Sequence, residues 1–172
     1  MIQKLEPNKN VIKALSSHIQ KTQYQWSRVP SGSVTRELFD AQELPTRDLT
    51  GGYFLDGSTH THLAIMAPKH ELNPLAELVG ANENTNLIVY GANSCMGWHT
   101  NSDMPGDRIY YTFTLGKAIF RYVNQNGQII DDIDNSGWTV RKFPVQKDPL
   151  LWHTIWTEKI RFSFGFWVKN VS

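Results

Sequence analysis

From residue 86 to residue 168 the chain consists of short runs rich in Val, Ile, Tyr, Phe and Trp, each closed by Gly, Asn, Asp or Pro. Branched and aromatic side chains suit a pleated, half-buried surface, and the closing residues suit tight turns. This texture restricts that half of the chain to short antiparallel strands. Eight segments are predicted as strands: 86–91, 95–100, 108–115, 118–123, 128–130, 138–143, 150–156 and 160–168. Asn126-Gly127 reads as a two-residue hairpin turn, and Leu115-Gly116-Lys117 as another tight connection. Eight short strands preceded by helices predict a mainly β fold with flanking helices. Its form would be a jelly roll whose two sheets enclose a cavity and whose helices buttress one outer face.

The upstream part reads differently. Val11, Ile12, Leu15 and Ile19 recur at helical spacing, with Asn8 or Asn10 as the cap, so a covering helix is predicted over 8–23. Residues 24–52 mix Pro30, Gly32, Pro45 and Gly51-Gly52 with a short helical stretch at 34–42, an irregular segment suited to a lid. Residues 53–57 and 62–66 read as two short strands. A second helix is expected to start at Asn73-Pro74 and stop at Gly80. At 172 residues the chain fits a single domain, residues 1–84 supplying helices, short strands and the lid and residues 85–169 the jelly-roll core.

Lys and Arg number 17 against 16 Asp and Glu, so no strong nucleic-acid surface is expected. A lone Cys95 rules out an internal disulfide and a thiolate zinc site. With no signal-like leader and no run of about 20 apolar residues, the expectation is a soluble, intracellular protein without membrane association.

The last predicted strand alternates cleanly. Phe162, Phe164, Phe166 and Val168 fall on one face, Arg161, Ser163, Gly165 and Trp167 on the other. If the second face lines the cavity, the Arg161 charge needs an anionic partner, because an unpaired buried charge is expensive. A ligand carboxylate taken bidentately, with the Ser163 hydroxyl alongside and room above Gly165, meets that need. A protein carboxylate or a place at the rim meets it too, and is the simpler reading of Arg161 by itself. His153, between Trp152 and Thr154, is by itself an ordinary core histidine. A hairpin at 157–159, however, would set it on a strand adjacent to Arg161. His99 ends an early strand, with Asn101 and Asp103 beyond it and the Pro105-Gly106 turn after them. Two imidazoles and a carboxylate on a β scaffold describe the facial triad of non-haem Fe(II).

These residues resemble the Fe(II)/2-oxoglutarate-dependent oxygenases, with local similarity to AlkB-type members and closer similarity to small phage-encoded ones. The resemblance covers residues 86–168, about half the chain. It implies a double-stranded β-helix core, Fe(II), 2-oxoglutarate and O₂ as the reacting partners, and hydroxylation with release of succinate and CO₂. It also implies that His99 and His153 are iron ligands, and that Arg161 and Ser163, matching the family's Arg-x-Ser motif, bind the far carboxylate of 2-oxoglutarate. Tyr90, nine residues before His99, corresponds to a cosubstrate-binding tyrosine. Two positions depart from the pattern. Asn101 stands where the family places its acid, with Asp103 two residues on. Position favours Asn101 and charge favours Asp103, and Asp103 is taken as the third ligand because an anion holds a divalent ion better than an amide. Trp167 stands where AlkB-type enzymes carry a second arginine, which weakens the alternative of an oxidative demethylase of nucleic acid. A non-catalytic metal-binding jelly roll is the alternative from another class. The substrate is left open among small molecules, peptides and nucleotides.

Other residues carry weaker signals. His60-Thr61-His62 has the spacing of a metal-binding pair but reads as solvated, and His18 and His70 as surface histidines. Tyr110 and Thr112, with Arg108 and Thr114, form either a cavity face or a polar outer face. Arg121, Trp138 and Arg141 flank an entrance or are solvated strand residues. Trp98, Trp152 and Trp156 supply packing or cavity walls, with at least one facing away.

Overall fold

The structure, a computed structural model, describes residues 1–44, 61–63, 69–102 and 104–169. Helix α1 (Lys9–Lys21) starts where Asn8 accepts hydrogen bonds from the backbone N–H groups of Asn10 and Val11, and it buries Val11 and Leu15 fully. Two short helices follow, α2 (Gln23–Trp26) and α3 (Arg36–Asp40), then α4 (Lys69–Val79). The last begins earlier than the expected Asn73-Pro74 start and carries Pro74 inside it. The carbonyl that Pro74 cannot serve belongs to His70 in the first turn, so the loss falls at the helix end, where it is tolerated. Gly80, at φ +73°, ends α4 as expected, and the next N–H, of Ala81, reaches back 2.9 Å to the Ala76 carbonyl.

The strands are β1 (Gln3–Leu5), β2 (Thr61–Leu63), β3 (Glu83–His99), β4 (Gly106–Thr114), β5 (Ala118–Val123), β6 (Ile129–Asp134), β7 (Gly137–Val145), β8 (His153–Thr157) and β9 (Arg161–Val168). They pair antiparallel in the order β1-β7-β4-β9-β3-β8-β5-β6, with β2 also on β3. The first half of β3 pairs with β9, from Glu83 opposite Trp167 to Tyr90 opposite Arg161; its second half, Ser94 to His99, pairs with β8. One hydrogen-bonded path therefore curls into two facing halves, the double-stranded β-helix, mainly β with flanking helices.

The strands expected at 86–91 and 95–100 are thus one strand, bent where Asn93 adopts φ +51°. The ladder survives the bend because the segment before α3 supplies donors: Gly32 N–H to the Ala92 carbonyl (2.7 Å) and Val34 N–H to the Asn93 carbonyl (3.0 Å). A second correction concerns residues 158–160. They form no hairpin but cross between the halves, held by Glu158 N–H to the Lys117 carbonyl and Leu115 N–H to the Ile160 carbonyl. His153 and Arg161 consequently face each other across the cavity, with β3 between their strands.

Period-two alternation on β9 places Phe162, Phe164 and Phe166 against Val11, Leu15, Leu72 and Ala76 of the helices. The outer face of the other half is covered by Val34 and Phe39, packed on Cys95, Ile119 and Trp156. The stretch expected as a lid is thus a backing as far as residue 44: Trp26 and Val29 pack on the helix-side core, and Val34 and Phe39 on the second half; its remainder, with the strand expected at 53–57, lies outside the described residues. His18 is not a plain surface residue, since its ring meets Phe164 edge-on at 6.2 Å. Among the described residues no helix is long and apolar enough to cross a membrane.

Candidate active site

Between the halves lies a cavity of about 170 Å³. One wall is Asn86, Ile88 and Tyr90 of β3, Tyr110 and Thr112 of β4, Arg141 and Phe143 of β7, and Arg161 and Ser163 of β9; the other is Met96, His99, Phe120, His153 and Ile155, with Asn101 beside them. The alternating polar face of β4 therefore turns inward at Tyr110 and Thr112, whereas the Thr114 hydroxyl is used by the Gly116 carbonyl (3.1 Å).

His99 and His153 are opposite one another in the β3–β8 ladder, both buried, with ring centroids 4.1 Å apart. Each Nδ1 lies on a carbonyl two residues upstream, Gly97 at 2.8 Å and Leu151 at 3.0 Å. A carbonyl only accepts, so each Nδ1 carries the proton and each Nε2 the lone pair. Burial pushes the His99 imidazole down to about 4, against the pull of its bond to Gly97. Burial, then the neighbouring His99, holds His153 well below the usual range. Both rings are neutral at neutral pH, the form that binds a metal.

Asn101, at φ +57°, directs its amide Nδ2 to 3.2 Å from the His153 Nε2. With the His153 proton on Nδ1, this contact is an N–H donated to the Nε2 lone pair; the amide nitrogen is no metal ligand, and only its Oδ1 has a lone pair to offer. Asp103 lies outside the described residues. Among those described, no group of three or more His, Cys, Asp or Glu is arranged to hold a metal ion.

Arg161 enters from the opposite wall. It is 2 % exposed, and its Nε and Nη1 have no hydrogen-bond partner among the described residues. Its Nη2 donates to the Thr112 Oγ1 at 3.3 Å, and its guanidinium carbon lies 5.3 Å from the Tyr90 ring centre. Desolvation lowers its pKa, partly countered by Tyr90. Ser163 is buried two residues along β9, opposite Thr112 and Ile88. Burial raises the Tyr90 phenol, partly countered by Arg161, and its hydroxyl donates to the Met96 sulfur (3.7 Å).

The sequence missed the acids around Arg141. That side chain is buried in the wall and bonded to Asp134 (2.5 Å) and Asp132 (2.8 Å), with Lys4 on Asp132. It is a neutralised wall residue rather than a free charge at an entrance; the run Asp131-Asp132-Ile133-Asp134, alternating on β6, was the available signal. Arg121 is not at an entrance either. It lies on the outer face, bonded to Asp131 and Asp40 and stacked on Phe39 at 4.4 Å. Trp138 packs on the helix side, against Phe113 and Phe164. None of Trp98, Trp152 and Trp156 lines the cavity, and Trp156 faces away with its indole N–H on the Val34 carbonyl. Trp167 donates to the Pro105 carbonyl at 2.9 Å, fastening the end of β9 to the turn before β4.

The donor set fits a divalent ion at the two imidazoles, and the orphaned guanidinium fits one carboxylate across the cavity from them. No protein-family model matches the chain, and neither does any curated protein. Among solved structures it is similar to a Pseudomonas putida prolyl-4-hydroxylase, at 11% identity over 99% of this chain and 92% of that one, with a TM-score of 0.49.

Proposed function

We propose that the chain is an Fe(II)- and 2-oxoglutarate-dependent dioxygenase that hydroxylates its substrate and releases succinate and CO₂. The observation that carries this reading is Arg161: a buried guanidinium with two nitrogens that have no partner among the described residues, in the same cavity as two neutral histidines whose Nε2 lone pairs are set by backbone carbonyls. An unpaired cation in such a place is costly, and a ligand carboxylate relieves it. When bound, Fe(II) with 2-oxoglutarate supplies activation of O₂ for oxidation of an unactivated C–H bond.

The chain's own residues do the positioning. His99 and His153 offer neutral imidazoles, and Asp103 is proposed as the anionic third ligand with Asn101 beside it. Arg161 takes the far carboxylate through two N–H groups, Ser163 donates alongside, and Tyr90, kept neutral by burial, closes the end. Met96, Phe120, Phe143 and Ile155 give apolar walls that exclude water. Incubation with Fe(II), 2-oxoglutarate and O₂ tests the reading by succinate formation, which proceeds slowly even without substrate. Absence of succinate from protein shown to be loaded with iron refutes it.

A further inference from the structure

The register of β3 slips once in its first half. Asn84 faces Phe166 and Asn86 faces Gly165, leaving Thr85 as an extra residue, a bulge. The Thr85 and Asn86 side chains both come to rest over the cavity side of Gly165. A Cβ built there would lie 2.5 Å from the Asn86 Oδ1, 2.7 Å from the Thr85 Oγ1 and 2.8 Å from the Tyr110 ring. Only glycine permits this approach. Both oxygens are buried and neither has a hydrogen-bond partner among the described residues, although buried polar groups are nearly always satisfied. Asn84 braces the bulge from below by donating to the Gly165 and Asn86 carbonyls at 2.8 and 3.1 Å.

We infer that this bulge is a substrate subsite that accepts a neutral N–H or O–H donor, such as an amide or a hydroxyl. The inference rests on the oxygenase reading above and extends it to the substrate. Gly165 lies beyond Ser163 on the cavity face of β9, past the arginine and serine assigned to the cosubstrate. From there Tyr110, Phe143 and His153 lead on, with ring centres 5.6 and 5.5 Å apart, so a group seated at the bulge lies along the path to the metal ligands. An ammonium is disfavoured, because Arg161 shares the cavity and no carboxylate of the described residues lines it. A carboxylate is disfavoured as well, because it brings no donor to the Asn86 Oδ1, which only accepts.

The test uses isotope-labelled protein loaded with Zn(II) and 2-oxoglutarate, with acetamide as the neutral donor and methylammonium and acetate as controls. Acetamide is expected to shift the Gly165 amide resonance saturably, and the two ions are not. Asn86→Leu and the near-isosteric Thr85→Val are each expected to weaken the acetamide response at least tenfold while retaining the rise in melting temperature that 2-oxoglutarate gives. Thr85→Val carries the test should Asn86→Leu fail to fold. An acetamide response unchanged in the folded variants, or matched by methylammonium, overturns the subsite. A parent protein whose melting temperature ignores 2-oxoglutarate overturns the underlying reading instead, and that is seen before acetamide is added.

Discussion

Arg161→Met isolates what the buried guanidinium does to the ligand-free protein. Methionine keeps an unbranched stem but carries no N–H. Each orphaned, buried polar group costs about 1–3 kcal/mol, so Nε and Nη1 together cost about 4 kcal/mol. The contact with Tyr90 and the single bond to Thr112 return about 1 kcal/mol each. Their removal leaves a net gain of about 2 kcal/mol, and a chain of this size gains about 2–4 °C in melting temperature per kcal/mol, hence about 4–8 °C. The variant should also lose the stabilisation given by 2-oxoglutarate, about 2.7 kcal/mol at a hundredfold excess over its dissociation constant. Melting of Mn(II)-loaded parent and variant, with and without 2-oxoglutarate, reads both effects. A variant that melts below the parent and still responds to 2-oxoglutarate refutes the reasoning, since Arg161 would then be a structural residue with nothing to bind.

Acid should destabilise the metal-free protein through its histidines. The folded His99 sits near 4 and an unfolded one near 6.5, so the unfolded state binds the extra proton between those values. The stability is therefore intact above about pH 6.5 and falls by about 3 kcal/mol by pH 4 from His99 alone; urea midpoints that stay level across this window contradict the burial argument. Asp103→Ala should abolish Mn(II) binding, whereas Asn101→Ala should weaken it by about 10–100-fold, the effect of losing a residue that orients a ligand. Calorimetric titration giving the reverse order reassigns the third ligand to Asn101. Trp138→Ala should cost about 2 kcal/mol in denaturant unfolding and leave the response to 2-oxoglutarate intact, because the half-buried indole packs against Phe113 and Phe164 away from the cavity. A lost response would return Trp138 to the cavity entrance.

How far the sequence could be read depended on how local each interaction is. On β9 every second residue is aromatic or apolar, so its two faces follow from period alone, whereas the inward turn of Arg161 and Ser163 depends on which face the helices cover. Helix α1 carried both its cap and its stripe. The three residues of β1 show no alternation and hold their place only through pairing with β7. Continuity of β3 depends on donors from residues 32 and 34, some sixty positions upstream, and no local signal announces that. The crossover at 158–160 looks like any short polar turn. The Arg141 pairing was hidden in another way: its acids lie seven and nine residues back, on a neighbouring run whose charges look solvated.

The unbroken strand β3 carries Tyr90 in one half of the fold and His99 in the other, so one piece of backbone spans both ends of the cavity. Its elbow at residues 91–93 works like the pivot of a calliper. Gly32 and Val34 hold that pivot from outside, and the opening between Arg161 and the histidine pair is set by a stretch of chain that touches neither.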